Sequence, residues 1–165
     1  MAPMHQLVLL AFVSAALSLS ALAGTYKIPA EDPVTTVTLP DDWKTDEIDD
    51  GIEATSSDGE VYLAIEETDG DSIKASLDEA MKYLKSKGVT VTESSLKQQE
   101  GKIGEMDVVD ISWDGKDEDG PAKISLTVVA VTKTEGLLLI YWASPEGEKK
   151  NMQALGAIAK SIKKA

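Results

Sequence analysis

The sequence predicts an α+β fold, a mainly antiparallel twisted sheet of about six to seven strands with two packed helices. Apolar residues alternate with polar ones through several stretches, which is typical of strands. They recur every three or four residues over about 71–87 and 145–163, which is typical of helices. Short turns join the successive strands, and this favours antiparallel pairing with the helices packed against one sheet.

Three short strands are predicted before the first helix, at 34–39, 52–55 and 61–65. Asp58-Gly59 is a hairpin signal that leads into the third of them. There Val61, Leu63 and Ile65 fall on one face, because successive side chains of a strand point to opposite sides.

The first predicted helix has a continuous apolar stripe of Ile73, Leu77, Met81 and Leu84. Asp71-Ser72 can cap its start, and Ser76 with Glu79 forms a second candidate capping box one turn later. Gly88 is expected to end it.

Four longer strands follow, predicted at 89–99, 106–113, 122–132 and 137–143. A change of apolar phase in the second predicts a bulge near 107–110. An acidic loop over 114–120 precedes the third, which is apolar enough for the middle of a sheet.

The last predicted helix opens at Ser144-Pro145, with proline at the first helical position. One side of it is apolar, formed by Met152, Leu155, Ile158, Ala159 and Ile162.

The N-terminus has the pattern of a cleaved secretory leader. Residues 7–19 form an apolar run too short for a membrane span, and Ala21-Leu22-Ala23 supplies the small residues of a cleavage site. The predicted organisation is a signal peptide over 1–23, an N-terminal extension over 24–32 and one domain over 33–165. This pattern predicts a periplasmic or secreted protein. An N-terminal anchor that is not cleaved is the alternative interpretation.

Missing residue types exclude several kinds of chemistry. The 165 residues include no Cys and one His, His5, which lies in the leader; all 16 basic residues are Lys. Zinc or redox-metal sites and Ser-His-Asp or Cys-His catalysis therefore lack their usual groups. Two Ser-x-x-Lys matches, Ser94/Lys97 and Ser161/Lys164, do not fall at predicted helix N-termini, where the catalytic version places its serine. We predict no enzyme and no cofactor.

The acidic residues are concentrated in one part of the chain. Residues 24–79 hold 17 Asp and Glu against 3 Lys, a net charge of −14, whereas 80–165 hold 12 against 13, a net of +1. This balance disfavours nucleic acid and anionic membranes, which are bound through Lys and Arg. It favours a basic protein partner.

The candidate partner-binding residues are Asp41, Asp42, Trp43, Asp46, Glu47, Asp49, Asp50, Glu66, Glu67 and Asp69. An acidic surface of this kind speeds association and selects against wrong partners. Immunity to an envelope-targeted toxin and an accessory role in a complex are two concrete forms of the hypothesis. Net charge that only keeps an exported protein in solution is a plainer interpretation.

A calcium-binding protein or a carboxylate-based hydrolase is the alternative function. Calcium needs only oxygen ligands, but neither Asp69-Gly70-Asp71 nor Asp117-Glu118-Asp119-Gly120 fits the EF-hand pattern. A weak site within 41–50 stays open. Glu66 and Glu67 are neighbours on a strand and should face opposite sides, so they are not expected to flank one bond.

The order of these features resembles the PsbP-like domain. The resemblance covers about residues 33–163, and it starts with the segment 37–43, Val-Thr-Leu-Pro-Asp-Asp-Trp. An amphipathic helix around Leu77-Asp78-Glu79, the Ile103-Gly104 turn, a long apolar hairpin and a terminal helix opened by Ser-Pro-Glu complete it. The photosystem II extrinsic protein, a nuclear Ran-binding relative and small exported bacterial proteins share this fold. The resemblance implies the fold and a non-enzymatic role, and it transfers no functional residue.

Overall fold

The structure is a computed structural model that describes residues 23–165. It confirms the α+β class, with two helices and mostly antiparallel sheets. The predicted signal peptide over 1–23 lies outside the described residues except for Ala23, and its cleavage stays a prediction.

The strands are β1 (Ala23–Ile28), β2 (Thr35–Pro40), β3 (Lys44–Ile48), β4 (Gly51–Thr55), β5 (Val61–Asp69), β6 (Thr90–Val91), β7 (Lys97–Ile103), β8 (Met106–Lys116), β9 (Pro121–Ala130), β10 (Glu135–Ala143) and β11 (Lys163–Lys164). The helices are α1 (Ile73–Ser86) and α2 (Pro145–Ser161). The main sheet has eight strands in the order β3-β4-β5-β10-β9-β8-β6, with β7 also paired to β8. A second sheet has the order β1-β2-β11.

Both faces of the main sheet are covered. Along β10, Leu138 and Ile140 point into a core shared with α1, whereas Leu137 and Leu139 point into a core shared with α2 and the three-stranded sheet. The predicted face of Val61, Leu63 and Ile65 lies in the α2 core.

Two N-terminal strands were not predicted. Residues 24–32 were expected to be an extension, yet Ala23–Ile28 pairs with β2 over six residues, and Ile28 is fully buried in the core. The acidic strand β3 forms the edge of the main sheet against β4. An edge strand of charged residues has no apolar alternation to reveal it.

The predicted strand at 89–99 is wrong in its middle. β6 ends at Val91, and a 3-10 turn over Glu93–Ser95 separates it from β7. The Ser95 hydroxyl donates to the carbonyl oxygen of Thr92 and accepts from the backbone N–H of Asp114, at 2.6 and 2.9 Å. This local bonding replaces the strand ladder.

The predicted bulge at 107–110 is also wrong, since β8 pairs with β9 in unbroken register from Asp107 to Lys116. The phase of apolar residues changes because β8 serves both cores. Met106 contacts the α2 core, whereas Ile111 and Trp113 contact the α1 core.

Both helices lie close to their predicted bounds, but α1 is not capped as predicted. Ser144 caps α2 by accepting from the backbone N–H of Gly147 at 2.9 Å. Ser72 makes no side-chain cap, and Ser76 instead bonds the hydroxyl of Thr68 at 2.8 Å. Gly88 follows α1 with a φ of +77°, as expected of a helix-ending glycine.

Candidate functional site

Seven carboxylates gather at one end of the sheet and form what we call the acidic surface. They are Asp50, Glu53, Glu66, Glu67, Asp69, Glu79 and Glu135. The β3–β4 hairpin with its turn, the end of β5, α1 and the start of β10 bring them together. Residues far apart in the chain therefore meet at this end, on both faces of the sheet. Glu66 lies on the α1 face with Glu53, whereas Glu67 lies on the α2 face with Asp69 and Glu135, as the alternation along a strand predicts. Asp50 acts on the pKa of both Glu66 and Glu67 and so links the two groups.

Gly51 places the β3–β4 turn against β5. It pairs with Glu66, and the backbone N–H of Glu67 donates to the carbonyl oxygen of Asp50 at 2.8 Å. A Cβ atom at Gly51 would overlap with the carbonyl oxygen of Ile65. The close approach that holds Asp50 beside Glu66 and Glu67 thus requires glycine.

Glu66 and Glu67 are half-buried among like charges. Burial, and then the carboxylates of Asp50, Glu53 and Glu79, raises the pKa of Glu66. Burial also raises the pKa of Glu67, and repulsion from the carboxylates of Glu135, Asp50 and Asp69 raises it further. The ion pairs among residues 23–165 are Lys44–Asp46, Lys74–Asp78, Lys102–Asp107 and Lys123–Asp114, and none involves the acidic surface.

An aromatic cluster adjoins these carboxylates. The Tyr83 hydroxyl donates to Glu53 Oε1 at 3.0 Å and bonds the Tyr62 hydroxyl at 2.6 Å. Tyr62 stacks on Trp142 with ring centroids 3.9 Å apart, and burial raises the pKa of Tyr62. Tyr83 also lines a cavity of about 250 Å³ with Glu66. Carboxylates beside aromatic rings suit a cationic side chain.

The structure brings together four of the predicted site residues, Asp50, Glu66, Glu67 and Asp69. The other predicted acidic residues do not belong to this gathering: Asp46 and Glu47 lie on the edge strand β3, Asp49 lies next to Asp50 in the β3–β4 turn, and Asp41 and Asp42 lie in the turn before β3. All are exposed.

Trp43 is corrected from a surface residue to a core residue. Only 5% of it is exposed, and it packs in the α2 core. It anchors the turn before β3 and is not part of the acidic surface.

The sequence did not predict Glu53, Glu79, Glu135 or Tyr83 as site residues. Glu79 was interpreted as part of a capping box, and Glu135 as part of a turn. Their signal is the register, since Glu53 lies opposite Ala64 on the face of β5 that also carries Tyr62 and Glu66. That pairing depends on the exact β4–β5 register, which the Asp58-Gly59 hairpin signal does not specify.

We expect Glu66→Gln to stabilise the protein at neutral pH. Because the pKa of Glu66 is raised above its ordinary 4.5, the folded state holds the proton more tightly than the unfolded chain, and stability is lost as pH rises from about 4.5. The variant should gain about 0.5 kcal/mol at pH 7, the size of a solvent-screened interaction between charges. Urea unfolding at pH 7 and pH 4 measures this.

The gain should vanish near pH 4, where the carboxyl group is largely protonated in both states. Glu118→Gln, in the exposed acidic loop, is the matched control and should change little. A loss of stability at pH 7, or an equal gain at both pH values, would contradict the assignment.

A second concave feature, which we call the α2 groove, was not predicted. It has a volume of about 570 Å³ and lies between α2 and the face of the sheet formed by β8, β9 and β10. Met152 was expected on the buried side of α2 but is 60% exposed beside this groove. The groove lies on the α2 face, and no residue that lines it also lines the cavities of the acidic surface.

Neither Ser-Lys match forms a catalytic pair. Ser94 lies in the exposed 3-10 turn before β7, whereas a strand was predicted there. Ser161 ends α2, and its hydroxyl donates to the carbonyl oxygen of Ile158 at 2.6 Å. Over residues 23–165, no group of three or more acidic residues is placed to hold a metal ion.

Comparisons with solved structures agree with this architecture. The solution structure of cyanobacterial PsbP (CyanoP) from Synechocystis sp. PCC 6803 matches with a TM-score of 0.58 and 9% identity, over 93% of this chain and 99% of that chain. The chain has a PsbP-like fold. The crystal structure of LpqN, involved in cell envelope biogenesis of Mycobacterium tuberculosis, matches with a TM-score of 0.55 and 15% identity, over 87% of this chain and 91% of that one.

The PsbP-like fold predicted from the sequence is thus confirmed. No protein-family model and no curated relative matches the sequence. None of the helices in the described range is long and apolar enough to cross a membrane.

Proposed function

We propose that this protein is an exported, non-enzymatic accessory protein of the cell envelope that binds a basic protein partner through its acidic surface. The observation that supports this most is the gathering of seven carboxylates from four parts of the chain, with no Lys paired to them in the described range. The predicted leader supports export, and the fold shared with LpqN, a protein of cell envelope biogenesis, supports the compartment.

Like charges held together cost free energy in the isolated protein. A cationic partner would relieve the repulsion around Glu66 and Glu67, so the same contacts that destabilise the free protein would favour the complex. A negative surface also attracts a basic partner over several ångströms and raises its association rate. Toxin immunity and a role in assembling an envelope complex both fit this chemistry.

The aromatic cluster adds a reason for a protein partner. Tyr83 and Tyr62 are fixed by their hydroxyl bonds and by stacking on Trp142. Rigid, half-buried aromatic side chains are common anchors in protein interfaces. Lysine or arginine side chains could contact a ring and a carboxylate at once.

Capture from a cell-envelope extract tests the proposal. The tagged protein should recover a basic protein at low salt, with recovery falling as salt increases. The triple variant Glu66→Gln, Glu67→Gln and Glu79→Gln should lose that protein. A matched triple variant in the acidic loop, Asp117→Asn, Glu118→Gln and Asp119→Asn, removes the same charge elsewhere and should keep it.

Recovery that is indifferent to salt, or lost equally in both triple variants, would reject the acidic surface as the docking site. Recovery of no basic protein by the unmodified chain would reject the proposed function itself.

A further inference from the structure

The α2 groove has two unlike sides that run along its length. The floor is polar: on β8 and β9, Asp110 pairs with Thr127 and Ser112 pairs with Ser125. The wall is apolar, formed by Leu139, Tyr141, Met152, Leu155 and Ile158. The face of the sheet is apolar where α2 covers it and polar where α2 no longer covers it.

Polar groups in the floor are available to a ligand. The Thr127 hydroxyl donates to Asp110 Oδ1 at 2.6 Å, which leaves the second oxygen of this half-buried carboxylate outside that bond. The hydroxyls of Ser112 and Ser125 are half-buried and line the groove beside it. The floor therefore offers both donors and acceptors.

The charges that line the groove are balanced. Lys123 binds Asp114 at 2.6 Å, and Tyr141 donates to Glu148 at 3.1 Å. Lys97 also lines the groove. Two lysines face three carboxylates, those of Asp110, Asp114 and Glu148, which leaves a formal net charge of −1 in the lining. The charges nearly cancel, and this suits a neutral or zwitterionic ligand.

Gly156 keeps the groove open. It lies within α2 and lines the groove, but a Cβ atom added there would meet nothing within 4 Å. A glycine inside a helix costs about 1 kcal/mol relative to alanine. The side of α2 at Gly156 is therefore open, and a larger side chain there would project into the groove.

We infer that the α2 groove binds a neutral or zwitterionic amphiphile that is polar along one face and apolar along the other. Its apolar face would contact Leu139, Met152 and Leu155, and its hydroxyl or amide groups would bond Asp110 and Ser112. The groove volume of about 570 Å³ lies within the usual range for small-molecule sites. This site is separate from the acidic surface and does not depend on the proposed function.

Calorimetric titration with CHAPS below its micelle concentration tests the inference. CHAPS is a zwitterionic cholic acid derivative whose ring hydroxyls lie on one face. A sulfobetaine detergent with the same headgroup and a straight decyl chain is the matched ligand. The protein should bind CHAPS at least tenfold more tightly, because the straight chain leaves the polar floor without partners.

Two variants locate the binding. Gly156→Phe fills the groove and should weaken CHAPS binding at least tenfold, whereas Gly101→Phe, at another open glycine on exposed strand β7, should leave it unchanged. The double variant Ser112→Ala and Ser125→Ala keeps the backbone and should weaken binding about fivefold. Circular dichroism checks that each variant is folded.

The inference is overturned if CHAPS does not bind, if the straight-chain detergent binds equally well, or if a folded Gly156→Phe or serine double variant binds CHAPS as tightly as the unmodified protein. Equal weakening by Gly101→Phe would also overturn it, since the site would then lie elsewhere.

Discussion

Gly51→Ala is expected to lower the free energy of unfolding by about 3 kcal/mol, the upper end for forced overpacking. The new methyl group would overlap with the carbonyl oxygen of Ile65, a backbone atom that cannot move without breaking the β4–β5 ladder. Denaturant unfolding measures the loss. The same substitution should displace Asp50 from Glu67 and so weaken partner binding in any folded fraction.

Gly101→Ala is the matched control, because a Cβ atom there meets nothing within 4 Å. Its stability should change by less than about 1 kcal/mol. Equal stability of the Gly51→Ala and unmodified proteins would show that β4 does not approach β5 as closely as described.

The triple variant Glu66→Gln, Glu67→Gln and Glu79→Gln is expected to slow association with the captured basic protein roughly tenfold at low salt. Glu66 and Glu67 are the half-buried charges of the acidic surface, and Glu79 adds the contribution of α1. Surface plasmon resonance at two salt concentrations measures both rates. The difference between variant and unmodified protein should shrink at high salt.

The acidic-loop triple variant at 117–119 should associate at nearly the unmodified rate. If both triple variants slow association equally, total charge and not the acidic surface governs the encounter.

The helices and the long strands of the second half could be predicted because their periodicity is set by burial on one or two faces. In α1, Leu84 is buried and Leu77 and Met81 pack beside it, so the predicted stripe is the packed stripe. The hairpin of β9 and β10 was predicted for the same reason, with Leu126 and Leu138 buried. Burial of one face of a helix or strand gives a regular spacing of apolar residues that can be recognised in the sequence.

Strands β1, β3 and β11 could not be predicted in this way. β3 is acidic and β11 is the dipeptide Lys163–Lys164, so each is a strand only because a partner strand is adjacent. Sheet context outweighs local preference at such positions. The strand predicted over 89–99 is interrupted for the opposite reason. There the Ser95 hydroxyl bonds backbone groups of Thr92 and Asp114 in place of strand-to-strand hydrogen bonds.

Half of the candidate site could be predicted, because the excess of acid in 24–79 is visible in the composition. The composition does not show which of these acidic residues lie close together in the fold. Glu53 and Glu66 meet through the β4–β5 register, and Glu135 comes from the near-neutral part of the chain. The α2 groove depends on where the helix stops covering the sheet, and no local pattern shows that.

The most direct test of the central claim is carboxyl-group footprinting of the protein with and without the captured basic partner. The acidic surface predicts that Glu66, Glu67, Glu79 and Glu135 are protected from modification in the complex, while the loop carboxylates at 117–119 react as before. Protection of the loop with unchanged reactivity of Glu66 and Glu79 would contradict the proposed docking site.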